Sequence, residues 1–290
     1  MSVRADRRPL LHAPGSRTDW RPVLDRVERH GFAVVHGLLE RWLPDGPGAG
    51  GESAVRALLG RDWERYRSIG HPAARRRFLA SRAFLKHACA HVLGVRPESL
   101  DLARLPGGAP CLRGCEGLRV SLSHTGGVAL VGLSTRGRIG VDVEPARRRI
   151  AGTGLEAEMC AAGEREALAA LPPAARNAEL VRLWTLKEAF TKAIGQGLRF
   201  PFTELAFSPP AAGGARERLR VLAPDGSPGT GPEWDFVSTC LPDGRHVAGV
   251  ACEEGAPGTA GTGLFPDSWD EEVLHVLRTR GHGRTAEGAP

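Results

Sequence analysis

Lysine is nearly missing from this chain. Its 290 residues include 39 basic ones, of which only Lys86, Lys187 and Lys192 are lysines. On a solvated surface Arg and Lys are close to interchangeable; they differ where a compact ammonium must meet one oxygen at close range. A chain that uses Arg almost everywhere is expected to keep Lys where that compactness counts. Two of the three fall within "LWTLKEAFTKAIGQG", residues 183–197. Long apolar runs are also missing: none approaches the ~18 residues of a membrane span. The opening "MSVRADRRPL" carries charge with no apolar segment behind it, which reads as no signal peptide and a cytoplasmic setting. The six cysteines (Cys89, Cys111, Cys115, Cys160, Cys240 and Cys252) are scattered. They are expected to be reduced thiols, mostly small core residues. Cys111 and Cys115 lie close together, but no second pair and no His follows at zinc spacing.

What is present is ordinary for a globular chain: 41% hydrophobic and 25% charged residues. The length allows one large domain or two small ones, with a core that needs no disulfide or metal to hold it. The net charge of +6 is uneven. Between Arg61 and Lys86 there are eight basic residues and two acids, a local excess equal to that of the whole chain. Such a segment points to an anionic partner: nucleic acid, a phosphate-rich small molecule or an acidic protein. Nucleic acid fits least, because only Trp63, Tyr66 and two Phe are there for base stacking, and two of these read as core.

Along the chain, "DWRPVLDRVERHGFAVV" reads as a helix followed by "LPDGPGAGGES", a Gly/Pro linker. That stretch lacks the strand before it and the Gly-Lys-Ser/Thr ending of a phosphate loop. Residues 1–50 are expected to be an N-terminal extension. In "HPAARRRFLASRAFLKHACAHVLG", Phe78, Leu85, Cys89 and Val92 recur near the helical period, with Arg75, Arg82 and Lys86 on another face and Gly94 closing the helix. His87 and His91 are i,i+4 neighbours with no third ligand in view, which favours a surface or half-buried pair. "LRVSLSHTGGVALVGLS" reads as strand, Gly-Gly turn, strand, and "RIGVDVEP" as a strand ended by Pro145. Helices are predicted near residues 155–171 and 174–194. Short strands are predicted near 204–207, 219–222, 235–240 and 246–252. The tail from residue 253, with one short helix near 268–278, is expected to be mobile. The fold class is α+β, in two similar halves, 51–145 and 146–252, that meet near Glu144–Arg149. Ligands often bind where such halves meet.

Asp142 and Glu144 are two apart on a strand, so both carboxylates point to one face, with Ile139, Val141 and Val143 on the other. Gly140 shares the carboxylate face and leaves room beside it. Two adjacent carboxylates in a cleft call for a cation, and oxygen ligands on a rigid strand suit Mg²⁺, which takes one or two carboxylates plus substrate phosphates. In the lysine-bearing helix, Leu183, Leu186, Phe190 and Ala193 form an apolar stripe. Trp184, Glu188, Thr191 and Lys192 form another face, with Lys187 at its border. Glu188 and Lys192 make a favourable i,i+4 pair, which accounts for those two but not for the rationing of lysine. The sharper reading puts Glu188 beside Asp142 and Glu144 around one ion, with Lys187 and Lys192 on phosphate oxygens. Ser123 and His124 lie at a strand end, where His124 could donate to phosphate. A Ser-His hydrolase does not fit: there is no nucleophile elbow, and adjacent Ser and His make poor partners. This is equipment for metal-assisted chemistry on a polyphosphate.

"SLSHT", "IGVDVEP" and "WTLKEAFTKAIGQGL", in that order, resemble the three signatures of the Sfp-type 4′-phosphopantetheinyl transferases. The central pattern is Gly-x-Asp-x-Glu followed about forty residues later by Trp-Ser/Thr-x-Lys-Glu-Ala-x-x-Lys, and the resemblance covers roughly residues 61–252. It implies a pseudo-twofold pair of α+β halves with coenzyme A between them. It also implies transfer of the phosphopantetheine arm of coenzyme A to a serine of an acyl or peptidyl carrier protein, releasing adenosine 3′,5′-bisphosphate. By position, Asp142, Glu144 and Glu188 would hold Mg²⁺ (or Mn²⁺) on the pyrophosphate. Glu188 would be the base for the serine, with Asp142 and Lys192 also in the catalytic set. Lys187 and Lys192 would steady the phosphates, Ser123 and His124 would touch the coenzyme, and Arg77 and Arg82 would meet its 3′-phosphate. The expected enzyme is a monomer that uses neither nucleic acid nor membrane, with a lean towards polyketide or nonribosomal peptide biosynthesis. One departure stands out: where the family often has Gly-Lys/Arg-Pro, this chain has Ala109. The alternative that this raises is a diverged member that binds coenzyme A or a carrier protein without normal transfer.

Overall fold

A computed structural model describes residues 10–43, 51–105, 107–207, 221–222 and 234–253. The first half of the chain lays helices on one antiparallel-dominated sheet. Strands β1 (Leu10–His12) and β2 (Phe32–Leu38) flank helix α1 (Arg21–His30). Helices α2 (Gly51–Leu59), α3 (Trp63–Ser68) and α4 (Pro72–Leu93) follow. A short hairpin, β3 (Leu102–Arg104) and β4 (Pro110–Leu112), leads into β5 (Arg119–Thr125) and β6 (Val128–Ser134). The four-stranded sheet has the order β1-β2-β6-β5. Its β1–β2 pair is parallel and the rest are antiparallel.

The second half begins with β7 (Ile139–Pro145). Helices α5 (Leu155–Met159), α6 (Ala162–Ala169) and α7 (Pro173–Ala193) come next. Then come β8 (Ala206–Phe207), β9 (Val221–Leu222), β10 (Trp234–Cys240) and β11 (His246–Glu253). A three-stranded antiparallel sheet has the order β10-β11-β7. The chain is α+β. The helix predicted over 155–171 is two shorter helices, the one over 174–194 is α7, and the predicted tail helix at 268–278 lies outside the described residues.

Strand alternation sorts the core into layers. Ala33, Val35, Val131 and Leu133 face α1 and α4, among Val23, Val27, Phe84 and Cys89. Their neighbours Val34, Val128 and Leu130 face the other way and pack on Ile139, Val141, Val143, Ala248 and Val250 of the second sheet. The outer face of the second sheet carries α7, with Leu183, Leu186 and Phe190 against Phe236 and Ala251. The order is helix, sheet, sheet, helix.

Residues 10–43 depart from the expected N-terminal extension. Ala13, Trp20, Val23, Val27 and Trp42 are buried in the first core, and β2 pairs along its length with β6. The helical face bearing Arg82 and Lys86 is not solvated either. Both residues are buried. Arg82 Nε donates to Asp62 Oδ2 at 2.6 Å, just before α3, and Lys86 Nζ donates to the Leu58 carbonyl of α2. His87 and His91 are half-buried, as expected of the pair, against the buried rings of Trp42 and Trp20, with His91 stacked on Trp20 at 4.9 Å between centroids. All six cysteines are free thiols.

Two glycines set the height of α7 above its sheet. A Cβ at Gly140 of β7 would lie 1.8 Å from the Ala189 carbonyl oxygen, and one at Gly249 of β11 would lie 2.4 Å from that of Thr185. The helix backbone rests directly on these strands, which brings its side chains down to the level of Asp142. Gly140→Ala therefore forces α7 away from β7. Overpacking of this kind costs roughly 1–3 kcal/mol or more, and a lowered urea midpoint with an unchanged slope would show it; an unmoved midpoint would contradict the contact.

Candidate active site

The edge strands of the two sheets, β5 and β7, meet along a polar seam. Val141 N–H donates to Ser121 Oγ at 3.1 Å, and Ser123 Oγ donates to Asp142 Oδ1 at 2.8 Å. From above, Lys192 of α7 reaches the same point, with Nζ 2.6 Å from Asp142 Oδ1 and 3.2 Å from Ser123 Oγ. Three residues from three separate stretches thus converge at one carboxylate oxygen. The other oxygen, Asp142 Oδ2, is buried and has no hydrogen-bond partner among the described residues. A buried carboxylate oxygen without a partner is costly and calls for an explanation.

Glu188 lies one turn before Lys192 on α7. Burial raises its pKa above the usual glutamate value; Lys192 opposes this, while Asp142 and Glu144 push the same way. Glu144 behaves alike: burial raises its pKa, with the Asp142 charge adding to it and Arg148, Trp184 and Lys192 opposing. Glu144 Oε1 accepts from Trp184 Nε1 at 3.1 Å and pairs with Arg148. The three carboxylates are close enough to repel one another, yet they are not a ready-made ligand trio. Among the described residues, no three Asp, Glu, His or Cys side chains are gathered closely enough to hold a metal ion. Within the expected set of Asp142, Glu144 and Glu188, the charges are instead met by neighbouring cations. The physical reason lies in their partners: Asp142 leans on Lys192 and Glu144 on Arg148, as neighbouring anions do when cations are within reach.

Beside the seam lies a cavity of about 590 Å³. Its walls carry Arg65, Arg77, Arg82, Arg104, His124 and Lys192, and no carboxylate residue among those that line it. Ser121, Ser123 and the loop Gly107–Pro110 complete the walls, together with Gly195 and Gly197 beyond α7. Burial lowers the pKa of His124, and Arg77 and Lys192 lower it further, so the imidazole is neutral near neutral pH and one ring nitrogen can donate. A walled space of one charge sign selects a polyanion.

The expected residues divide clearly. Asp142, Ser123 and Lys192 are in direct contact, Glu188 and Glu144 stand beside them, and Arg77, Arg82 and His124 line the cavity. Arg82 is half of an ion pair with Asp62, and its guanidinium also lies 4.7 Å from the centre of the Phe78 ring. Lys187 is elsewhere. It is fully buried, and Nζ donates to Met159 O at 2.6 Å, Glu164 Oε2 at 2.6 Å and Phe202 O at 3.0 Å. An ammonium has three donors, so none is left for a phosphate, and the phosphate role expected of Lys187 is corrected to a structural one. Two of the three lysines, Lys86 and Lys187, thus sit at buried sites where the ammonium meets carbonyl or carboxylate oxygens. Arg65 and Arg104 were not expected at the cavity. Arg65 is within the basic segment from residue 61, but nothing in sequence marks Arg104.

A family model for the 4′-phosphopantetheinyl transferase superfamily matches residues 138–248, the stretch that carries Asp142, Glu144, Glu188 and Lys192. The chain is 31% identical over 202 residues to the 4′-phosphopantetheinyl transferase HetI of Nostoc sp., covering 68% of this chain and 76% of that one. It is 34% identical over 137 residues to a putative 4′-phosphopantetheinyl transferase of Synechocystis sp., covering 47% of this chain and 54% of that one. Against the crystal structure of Thermotoga maritima holo-[acyl-carrier-protein] synthase the TM-score is 0.31 at 18% identity, over 43% of this chain and 67% of that one, too slight a likeness to argue from. The chain belongs to the 4′-phosphopantetheinyl transferase superfamily and is an enzyme of that class.

Proposed function

We propose that this enzyme moves the phosphopantetheine arm of coenzyme A to a serine of an acyl or peptidyl carrier protein of polyketide or nonribosomal peptide biosynthesis, in the cytoplasm. The observation that carries this reading is the Asp142–Ser123–Lys192 contact at the wall of an all-basic cavity. A pyrophosphate lying there would have cationic groups on one side and carboxylates on the other.

A divalent cation fits these residues. Asp142 Oδ2 is a buried hard oxygen with no partner among the described residues, and the mutual repulsion of Asp142, Glu144 and Glu188 is what a cation would relieve. Asp142, Glu144 and Glu188 would hold Mg²⁺ or Mn²⁺, which when bound supplies positive charge to the pyrophosphate oxygens. The chain's own residues do the rest. Arg77, His124 and Ser123 orient the coenzyme by its phosphates. Glu188 takes the proton of the carrier serine as its oxygen forms a bond to the phosphorus nearer the pantetheine arm. The bond from that phosphorus to the bridging oxygen breaks, and its electron pair leaves with adenosine 3′,5′-bisphosphate. Lys192 holds its ammonium charge beside the reacting phosphate. Phosphoryl transfer asks mainly for such positioning and charge stabilisation.

Incubation with coenzyme A, Mg²⁺ and an apo carrier protein is expected to yield a carrier heavier by one phosphopantetheine. EDTA should abolish the gain, and added Mg²⁺ should restore it. A gain that survives EDTA would remove the cation from the account. A second reading is favoured by Ala109 in the cavity wall: a diverged enzyme that binds coenzyme A without normal transfer. Calorimetric binding of coenzyme A with no mass gain on any carrier would support that reading instead.

A further inference from the structure

A run of three arginines, Arg147, Arg148 and Arg149, follows the carboxylate strand β7. The outer two are exposed and the middle one is half-buried. The Arg148 backbone is pinned on both sides: its N–H donates to Pro145 O at 2.8 Å, and its carbonyl accepts from Asn177 Nδ2 at 2.9 Å. Asn177, near the start of α7, also accepts the Ile150 and Ala151 N–H groups on Oδ1, at 3.0 and 3.1 Å. One side chain thus ties the turn after β7 to α7. From that anchored backbone the Arg148 guanidinium lies 4.5 Å from the centre of the Trp184 ring and pairs with Glu144.

Arg148, Trp184 and Glu144 close a triangle. Trp184 Nε1 donates to Glu144 Oε1 at 3.1 Å, and Arg148 Nη1 donates to the same oxygen. The indole rests in turn on Phe202, with ring centres 5.5 Å apart. Two donors on one oxygen, one of them charged, fix how the carboxylate is turned. A carboxylate accepts at about four positions, and neither of these bonds falls on Oε2. An arginine beside a cation site also repels the cation. Water weakens that repulsion here, because the Arg148 side chain is 30% exposed, whereas the hold on Oε1 is a direct contact.

We propose that Arg148 is a positioning residue for the cation of the transfer reaction: with Trp184 it holds Glu144 by Oε1, so that Oε2 is the oxygen this side chain offers to the ion. This rests on the reading of Asp142, Glu144 and Glu188 as cation ligands. An arginine suits the task better than a lysine, because a guanidinium stacks on the indole while it donates to the carboxylate. Arg148 is not among the residues lining the basic cavity, so its effect falls on the cation and not on coenzyme binding.

Mn²⁺ titration with coenzyme A present, read from the electron paramagnetic resonance of the free ion and corrected for coenzyme A alone, tests this on the wild type, Arg148→Ala, Arg148→Lys and Trp184→Phe. For Arg148→Ala, Mn²⁺ affinity is expected to fall roughly 10- to 100-fold, the usual effect of removing the partner that orients a metal-binding carboxylate. Arg148→Lys should recover part of the loss. Trp184→Phe keeps a ring beneath Arg148 and removes only the N–H to Oε1, so it should weaken Mn²⁺ binding by a smaller factor. Calorimetric affinity for coenzyme A in EDTA should be the same in all four, a split that a merely structural role would not give. Mn²⁺ binding that is unchanged or tighter in Arg148→Ala, a lysine variant no better than alanine, or an equal loss of coenzyme A affinity in EDTA overturns the inference alone. A wild type that binds no Mn²⁺ overturns the cation reading and the inference with it. Thermal unfolding shows that each chain titrated is folded, and Trp184→Phe carries the test if Arg148→Ala is not.

Discussion

Lys187→Ala is expected to destabilise the protein by about 3–5 kcal/mol, the cost of leaving a buried partner charge uncompensated. The partner is Glu164, 6% exposed, with Oε2 on Lys187 Nζ and on the Ala161 N–H, and Oε1 on the Phe207 N–H. Removing the ammonium strands that carboxylate and also orphans the carbonyls of Met159 and Phe202. These bonds tie α6, the end of α5, the turn before β8 and β8 itself to α7, so the loss falls on the packing that holds α7 in place. Chemical denaturation reads the loss directly. Lys187→Ala/Glu164→Ala should recover part of it, because the stranded charge goes too. At a temperature where the single variant is folded, its coenzyme A affinity should match the wild type. A large loss of affinity with little loss of stability would return Lys187 to the phosphates.

Glu188→Gln should behave the other way round. The substitution keeps the size and a hydrogen-bonding group but removes the charge and the proton acceptor. Glu188 is partly buried beside Asp142 and Glu144; burial and their repulsion together raise its pKa. Loss of its charge removes both penalties, and the fold should be at least as stable. Transfer should fall by about 10²-fold or more, the range for loss of a general base, and further if the cation is held less well. Coenzyme A affinity should change little, since the cavity's cations are intact. If Glu188 only pairs with Lys192 along the helix, the variant loses about 0.5 kcal/mol of stability and transfer is unaffected.

What could be read in the sequence was short-range. Asp142 and Glu144 on one strand face and Ile139, Val141 and Val143 on the other follow from a period of two, and the structure packs those three against the first sheet; the room expected beside Gly140 is filled by the backbone of α7. The α7 helix itself was legible from its apolar spacing, but its solvated face was not. Lys187 is fully buried because the end of α5, α6 and the residues before β8 cover a side that an isolated amphipathic helix would expose. The partner that decides the role of Lys187, Glu164, is 23 residues away, and no local pattern links them. The same limit hid β2. "FAVVHGL" reads as an apolar run after a helix, while its partner β6 lies about a hundred residues further on. Arg104 escaped because a three-residue strand has no period, and its place opposite Pro110 exists only once the hairpin closes.

The central claim is that the basic cavity binds coenzyme A while the carboxylates at the β5–β7 seam carry out the transfer. Its most direct test is the intact mass of an apo carrier protein over time, with coenzyme A and Mg²⁺ saturating, driven by the wild type and by Glu188→Gln side by side. The account predicts complete conversion by the wild type to a carrier heavier by one phosphopantetheine, and about 10²-fold slower conversion by the variant. A variant that keeps pace, or a wild type that leaves every carrier unchanged, would contradict it.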